Sequence, residues 1–355
     1  MTIVHLVPHV RNAGNGLVNV AVDLACWQAK NGHSVFVVGE GGDFEPLLAE
    51  YGVDFSALVP RRGIISFFQN ARAIYRTLRA RKPNIVHAHT MSGAVYGFVL
   101  RFSGNYGLIS TVHTAFRRSS ILMALADRII AVSDANKRDL MRRGVPGSRI
   151  AVIHNAPLES PRRSVRAHDV SLGRPSITTV AGLYRRKGID VLIEAFDRVS
   201  GRFPEAHLYL IGAGPDEAEF RAQATAVTSA TRIHFLGFKA NPQPYLESTD
   251  IFVLASREDP FPLVIAEARY AGCAIVGSDV DGIPETLDGG RAGMLVPAGD
   301  AGPLAAALST LLESDEVRSH WREEAKRGVE RFMVGRVVRE TQHVYDTVAS
   351  AKYAT

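Results

Sequence analysis

Cysteine is nearly absent from this sequence: Cys26 and Cys273 are the only two in 355 residues, and both lie in apolar stretches. A disulfide framework is therefore excluded, and a reducing compartment is expected. No apolar run approaches the roughly 18 residues that span a bilayer. The opening "MTIVHLVPHVR" is too short an apolar stretch for a signal peptide and reads as a first strand. No G-x-x-x-x-G-K-[ST] occurs, which removes P-loop nucleotide chemistry. Gly14 and Gly16 follow the first strand, but Asn19 stands where a dinucleotide fingerprint needs its third glycine. A dehydrogenase is not expected. Long repeats and low-complexity tracts are missing as well.

What is present is an ordinary globular composition, 46% apolar and 22% charged, in a chain long enough for two domains. The net charge of +5 is unevenly spread. Residues 1–170 hold 21 Lys and Arg against 11 Asp and Glu, while the remainder holds 20 against 25. A front half at +10 and a back half at −5 suggest that the front faces something anionic: nucleic acid, an acidic membrane or a phosphorylated substrate.

Short β-branched runs alternate with helix-length amphipathic stretches. The front half offers "IVHLVPH", "SVFVVGE", "IVHAHT", "LISTVHT", "RIIAVS" and "IAVIHN" as strands. Leu17, Val20, Ala21 and Leu24 keep helical spacing, and Gly32 stops that helix. A polar, proline-punctuated linker covers 156–175, and the grammar then restarts with "SITTVAGL", "HLYLIGAG", "RIHFLGF", "DIFVLAS" and "CAIVGS". Ile189, Leu192, Ile193, Phe196 and Val199 line one face of the first helix there. Such alternation predicts parallel sheets covered on both faces, hence two doubly wound α/β domains with ligands at the carboxyl ends of the strands.

Three loops at those ends carry chemistry. Gly14 and Gly16 let backbone approach a ligand before a helix, or form a plain turn. In "GLYRRKG", Arg185, Arg186 and Lys187 meet a ligand's negative charge beside helix amides, or are solvated surface. In "SREDPFPLVIAEARYAG", Pro260 and Pro262 enforce an extended approach to a helix that starts near Leu263 and ends before Gly272. The amides near Leu263 and Val264 suit a phosphate. Glu267, one turn on, and Asp259, before the turn, suit neutral hydroxyls of a ribose and a sugar, which describes a nucleotide-sugar. Acids near a helix start are also favourable in themselves, by about 0.3–1 kcal/mol.

Over nearly its whole length the chain resembles the retaining glycosyltransferase family 4. The landmarks run in order: "LACWQAKNGHSVFVVG", "KPNIVHAHT", "STVHT", "LADRIIAVSDANKRDLMRRGVPGSRIAVIHNA", "GLYRRKGIDVLIEAF", "LYLIGAGP", "HFLGF", "DIFVLASREDPFPLVIAEARYAGCAIVGSDVDGIPE" and "GMLVPAGD". The resemblance implies a GT-B fold: two Rossmann-like domains, 1–168 and 169–336, whose parallel sheets face across a cleft, with a final helix 337–355 crossing back onto the first. It implies that Lys187 and Arg186 hold the donor diphosphate and that Glu267, in an E-x7-E motif, holds the ribose. Phe238 and its neighbours line the base, Gly212 and Gly214 belong to the donor loop, and His113 is the acceptor-side histidine. Three departures stand out: Asp259 replaces the first Glu of the motif, Gly182 occupies a usual arginine position, and Ala156 follows Asn155 where glycine is usual. Arg185 or Arg186 is then left to supply the missing charge.

Other features divide. Asp279 and Asp281 look like a metal-binding D-x-D of another fold, but no metal role is expected. His87 and His89, on alternating faces at a strand end, are not expected to share an ion and read as satisfied histidines or acceptor contacts. "RRGIISFFQNARAIYRTLRARK" (61–82) carries seven basic residues and no acid, interleaved with Ile64, Ile65, Phe67, Phe68, Ile74, Tyr75 and Leu78. It reads as a helix for an anionic membrane or as a solvated helix face; no nucleic-acid motif accompanies it. The expectation is a cytoplasmic hexosyltransferase, peripheral on the inner membrane face, that needs no metal cofactor. It would move sugar from a UDP- or GDP-sugar to a lipid-linked saccharide or envelope glycan precursor. A sugar-nucleotide epimerase and a non-catalytic membrane or polyanion binder are the alternatives.

Overall fold

The computed structural model describes residues 1–60, 63–113, 118–163 and 170–353. Two compact units divide the chain, Met1–Arg162 with Phe332–Thr355, and Arg163–Arg331. The expected boundary at 168/169 falls among residues outside the described ones, and the chain rejoins the first unit at Phe332 rather than 337.

The first unit holds β1 (Thr2–His9), β2 (Ser34–Glu40), β3 (Asp54–Ala57), β4 (Ile85–Ala88), β5 (Gly107–Val112), β6 (Arg128–Ala131) and β7 (Ile150–Val152). They form one parallel sheet in the order β3-β2-β1-β4-β5-β6-β7. The second unit holds β8 (Ser176–Val180), β9 (His207–Ile211), β10 (Ile233–Gly237), β11 (Ile251–Leu254), β12 (Ala274–Ser278) and β13 (Met294–Val296), in the parallel order β10-β9-β8-β11-β12-β13. Each order reverses direction once, between β1 and β4 and between β8 and β11. Those are the switch points at which a doubly wound sheet opens a ligand crevice.

Period-2 patterning covers both sheet faces. Val35 and Val37 of β2 enter one core while Phe36 and Val38 enter another. In β11, Ile251 and Val253 go one way, Phe252 and Leu254 the other. The helix Gly16–Lys30 begins where Asn15 Oδ1 accepts from Leu17 N at 3.2 Å, buries Val20, Ala21 and Leu24, and stops before Gly32 at φ 84°. All five positions expected on the inner face of Ile189–Ser200 are buried. Both free thiols are buried and pushed up to about 12, so neither is a nucleophile at neutral pH. Two strands have no counterpart in the sequence reading, β3 and β13.

The second unit is tied at one point by Arg269, fully buried on the helix Leu263–Ala271. Its Nε donates to Ala325 O at 2.8 Å, Nη1 to Thr286 O at 2.7 Å and Nη2 to Arg327 O at 2.5 Å, and Asp288 lies 2.9 Å away. Removing one partner of such a buried network costs about 3–5 kcal/mol. Arg269→Ala should therefore lower the unfolding free energy of the second unit by that amount in urea titrations followed by circular dichroism. A loss below about 1 kcal/mol would show that the carbonyls are solvated or re-paired.

Candidate active site

At the switch point of the second unit, two loops are braced against one another. After β8 the chain makes a 3-10 turn, Arg185–Lys187, and passes through Gly188 at φ 65° into the helix Ile189–Ser200. A Cβ on Gly188 would sit 1.9 Å from Ala255 O of the other loop, so only glycine allows this approach. Arg257 closes the brace. Its amide donates to Arg186 O at 2.8 Å, and its guanidinium grips Asp190 at 2.7 and 2.8 Å and Arg185 O at 2.7 Å. Burial raises the Asp190 carboxyl, but the Arg257 bonds outweigh it and hold that carboxyl below its usual range.

Lys187 and Asp259 meet across this brace, Lys187 Nζ donating to Asp259 Oδ2, with both side chains largely buried. Asp259 is fixed by its own backbone: its amide donates to Asp281 Oδ2 at 2.9 Å and its carbonyl accepts from Gly282 N at 3.1 Å. Asp281 is thus engaged in shaping the loop, while Asp279 is exposed. Four residues after Asp259 the helix Leu263–Ala271 starts behind Pro262 with no side-chain cap, so the amides of Leu263 and Val264 open the helix as uncapped donors. Glu267 lies one turn in, on the same helix, with Arg163 Nη2 3.3 Å from its Oε1.

The three cations of "RRK" separate. Arg185 pairs with Glu219 at 2.7 Å, so its charge is already neutralised. Arg186 is exposed, 5.6 Å above the Tyr184 ring, with no carboxylate partner among the described residues. Between the two candidates for the charge lost at Gly182, Arg186 is the one left available. Gly212 and Gly214 face loop backbone: a Cβ on either would lie 1.9 Å from Ala181 O or 2.2 Å from Leu183 O. Their glycine character is explained by loop packing after β8 and β9. Phe238 follows β10 with 43% of its surface exposed.

The switch point of the first unit is neutral. Gly14, at φ 66°, lies between β1 and the helix that Gly16 opens. His5 on β1 and His87 on β4 are register partners. His87 and His89 are two residues apart, however, and strand alternation has a period of two, so they share a face and are not opposed as expected: the two rings are 4.2 Å apart. His5, His87 and His89 bring one ligand atom each within 4.8 Å of one another, which corrects the expectation that they could not converge. Their ring nitrogens are nonetheless engaged in hydrogen bonds. His5 bonds Gln28 Oε1 at 2.8 Å and His89 at 3.0 Å; His89 bonds His113 at 3.2 Å; His87 bonds Thr111 Oγ1 and the Tyr345 hydroxyl, each at 2.7 Å. Gln28 and Tyr345, on the first and last helices, carry no sequence signal for this role. Only the fold brings them to the histidines. Burial pulls His5 down to about 4 and His113 to about 3, and lowers His87 and His89 as well.

Beside the same strand ends, a cavity of about 510 Å³ is lined by Val38, Leu58, Val59, Phe67, Ile74 and Tyr96. The helix Gly63–Arg81 forms one wall. It buries Ile74 and Leu78 and exposes Ile64, Ile65 and Phe68 at 72, 71 and 64%. Arg72, Arg76 and Arg79 continue the outward face, and Phe102, 74% exposed, lies against Tyr75. Arg61 and Arg62 lie outside the described residues. No helix among the described residues is long and apolar enough to cross a membrane.

Two family profiles match the chain: Glycosyltransferase Family 4 over residues 14–156 and Glycosyl transferases group 1 over 174–314. The chain is 30% identical to the phosphatidyl-myo-inositol mannosyltransferase of Mycolicibacterium smegmatis, over 76% of this chain and 72% of that protein. It is 26% identical to the Mycobacterium tuberculosis protein of that name over 99% and 98%. Among solved structures it resembles Anabaena HepE, crystallised with UDP and glucose, at a TM-score of 0.81 and 20% identity over 98% of this chain and 99% of that one. That likeness shows a GT-B fold.

The buried histidines make a pH prediction. Held neutral, they bind fewer protons in the folded than in the unfolded chain below about pH 6.5. Their stabilisation is complete above that pH and is lost as pH falls towards the folded values, by about 1.4 kcal/mol per pH unit for each. The urea midpoint of the first unit should drop steeply between about pH 6.5 and pH 5, and His5→Gln should flatten the slope. A midpoint independent of pH would mean that the cluster admits protons or water.

Proposed function

The chain belongs to glycosyltransferase family 4, and from that premise we propose that it transfers a hexosyl group from a UDP- or GDP-sugar to a hydroxyl of a lipid-linked acceptor, with retention of the anomeric configuration. The observation that carries the donor half is the Lys187–Asp259 pair beside an uncapped helix at the β8/β11 switch point. The diphosphate takes Lys187, Arg186 and the amides of Leu263 and Val264; Glu267 accepts from ribose hydroxyls, Phe238 flanks the base, and Asp259, released from Lys187, accepts from a sugar hydroxyl. Charge-assisted bonds to fixed donors favour the diphosphate most as it departs. The bond from the anomeric carbon to phosphate breaks, the acceptor oxygen bonds that carbon on the same face, and its proton passes to the departing phosphate. His113 accepts a hydrogen bond from a sugar hydroxyl.

The acceptor half rests on three supports. The Mycolicibacterium relative is named for a phosphatidylinositol acceptor. The outward face of Gly63–Arg81 carries exposed Ile64, Ile65 and Phe68 followed by Arg72, Arg76 and Arg79. The apolar cavity adjoins that helix. A basic, apolar stripe of this kind docks on an anionic leaflet, each charge adding about 1 kcal/mol.

Lys187→Ala should abolish transfer and weaken UDP or GDP binding on the order of tenfold to a hundredfold while circular dichroism is unchanged; unaltered calorimetric affinity would overturn the donor assignment. Turnover should persist in excess EDTA, since side chains and helix amides supply the positive charge. An absolute Mn²⁺ or Mg²⁺ requirement would return the role to Asp279 and Asp281. Reversing Arg72, Arg76 and Arg79 to Glu should cut co-sedimentation with anionic liposomes by at least about a hundredfold at low salt and leave nucleotide affinity intact. Wild-type protein that ignores such liposomes would remove the membrane reading and leave the transferase reading standing.

A further inference from the structure

Four side chains at the β1/β4 switch point form a single file: Gln28, His5, His89 and His113. The contacts are 2.8 Å from Gln28 Oε1 to His5 Nε2, 3.0 Å from His5 Nδ1 to His89 Nε2, and 3.2 Å from His89 Nδ1 to His113 Nε2. Gln28, His5 and His89 are all but fully buried. At the far end His113 Nδ1 is buried with no hydrogen-bond partner among the described residues. A neutral imidazole carries one N–H and one lone pair, so in a file of neutral rings the polarity of the first bond dictates every later one.

We propose that Gln28 sets the tautomer of His113 through His5 and His89, so that His113 presents a bare Nδ1 lone pair to a substrate hydroxyl. The derivation is short. Gln28 Oε1 has no proton to give, so His5 carries its hydrogen on Nε2 and leaves Nδ1 bare. His89 must then donate from Nε2 and accept at Nδ1. His113 donates from Nε2 in turn, and its Nδ1 is left as an acceptor. Gln28, His5 and His89 are positioning residues; only His113 would touch substrate.

The orientation of the Gln28 amide is the step on which the direction depends, because a flipped amide would donate and reverse the whole file. The orientation taken here is the one in which Oε1 meets His5 Nε2 at 2.8 Å, with Gln28 Nε2 left buried and without a hydrogen-bond partner among the described residues. His87 stands outside the file, held by Thr111 and Tyr345, whose hydroxyls accommodate either of its tautomers. Burial keeps the imidazoles neutral, so the file orients a hydrogen bond and does not conduct a proton.

The role of His113 rests on the proposed transfer reaction, but the file does not need turnover to be tested. Histidine-labelled ¹⁵N protein, free of ligand at neutral pH, should show His113, His89 and His5 protonated at Nε2 and bare at Nδ1 in long-range proton–nitrogen correlations. A protonated Nδ1 on His113 in the wild type overturns the proposal outright, whatever the variants do. Gln28→Glu, which can only accept while ionised, should keep the same tautomers. Gln28→Leu should shift the His113 nitrogens towards the average of two tautomers, and an unchanged pattern there would remove Gln28 as the anchor. The tautomers as proposed in a protein that transfers no sugar would sink the functional reading alone; a competent transferase with Nδ1–H on His113 would sink this one alone.

Discussion

The Lys187–Asp259 ion pair is the interaction on which the architecture of the second unit's switch point turns. Two charges that are largely out of water gain only if their geometry is held, because desolvation otherwise exceeds their attraction. The holding is done by neighbours that carry no ligand role: Arg257 clamped between Asp190 and Arg185 O, Gly188 against Ala255 O, and the Asp281 carboxylate on the Asp259 amide. The first two fix the loops after β8 and β11 to one another, and the third ties the loop after β12 to Asp259. Without that frame, Lys187 would be a long solvated cation with about 2 kcal/mol of rotamer entropy to lose on meeting a phosphate.

The same pair explains what the shorter acid at 259 does. A carboxylate one methylene longer would reach farther from the backbone. Asp259 instead closes directly on Lys187 while its amide is pinned by Asp281. The lysine is therefore kept neutralised and largely desolvated. Under the proposed function a diphosphate, with more charge and several acceptor oxygens, competes for it, and the carboxylate released needs hydroxyl donors. A sugar supplies them. On that proposal ion pair and substrate are alternatives for the same two side chains, which would account for carboxylates beside an anion site.

Most of the scaffold was legible because buried parallel strands announce themselves as β-branched runs, and helix limits as caps and glycines. Leu263 and Gly272 bounded their helix as expected. The two missed strands, Asp54–Ala57 and Met294–Val296, are short edge segments, only partly buried, where neither period nor composition stands out. The candidate site was legible by residue type but not by partner. That Arg185 is neutralised by Glu219 while Arg186 is not depends on where the helix Glu217–Ala226 lies. The placing of His87 and His89 on opposite faces failed for a simpler reason. Alternation has a period of two, so residues two apart share a face, and the pairing of His89 N with Leu6 O carries the extended run through the second histidine.

Both sheets put a polar group at the same topological position, yet with opposite electrostatics: a charged pair at β8/β11, neutral imidazoles at β1/β4. Buried imidazoles are costly unless each nitrogen is satisfied, and a sheet core offers them nothing. Here they satisfy one another, and a glutamine, a threonine and a tyrosine from three other elements complete the set. The Tyr345 hydroxyl reaches His87 across 258 residues of sequence, so the C-terminal helix Val334–Tyr353 is part of the histidine site and not merely a cover for the sheet. What a packed apolar substitute could not supply is a hydrogen-bonded file that ends, among the described residues, on an unpartnered ring nitrogen of His113.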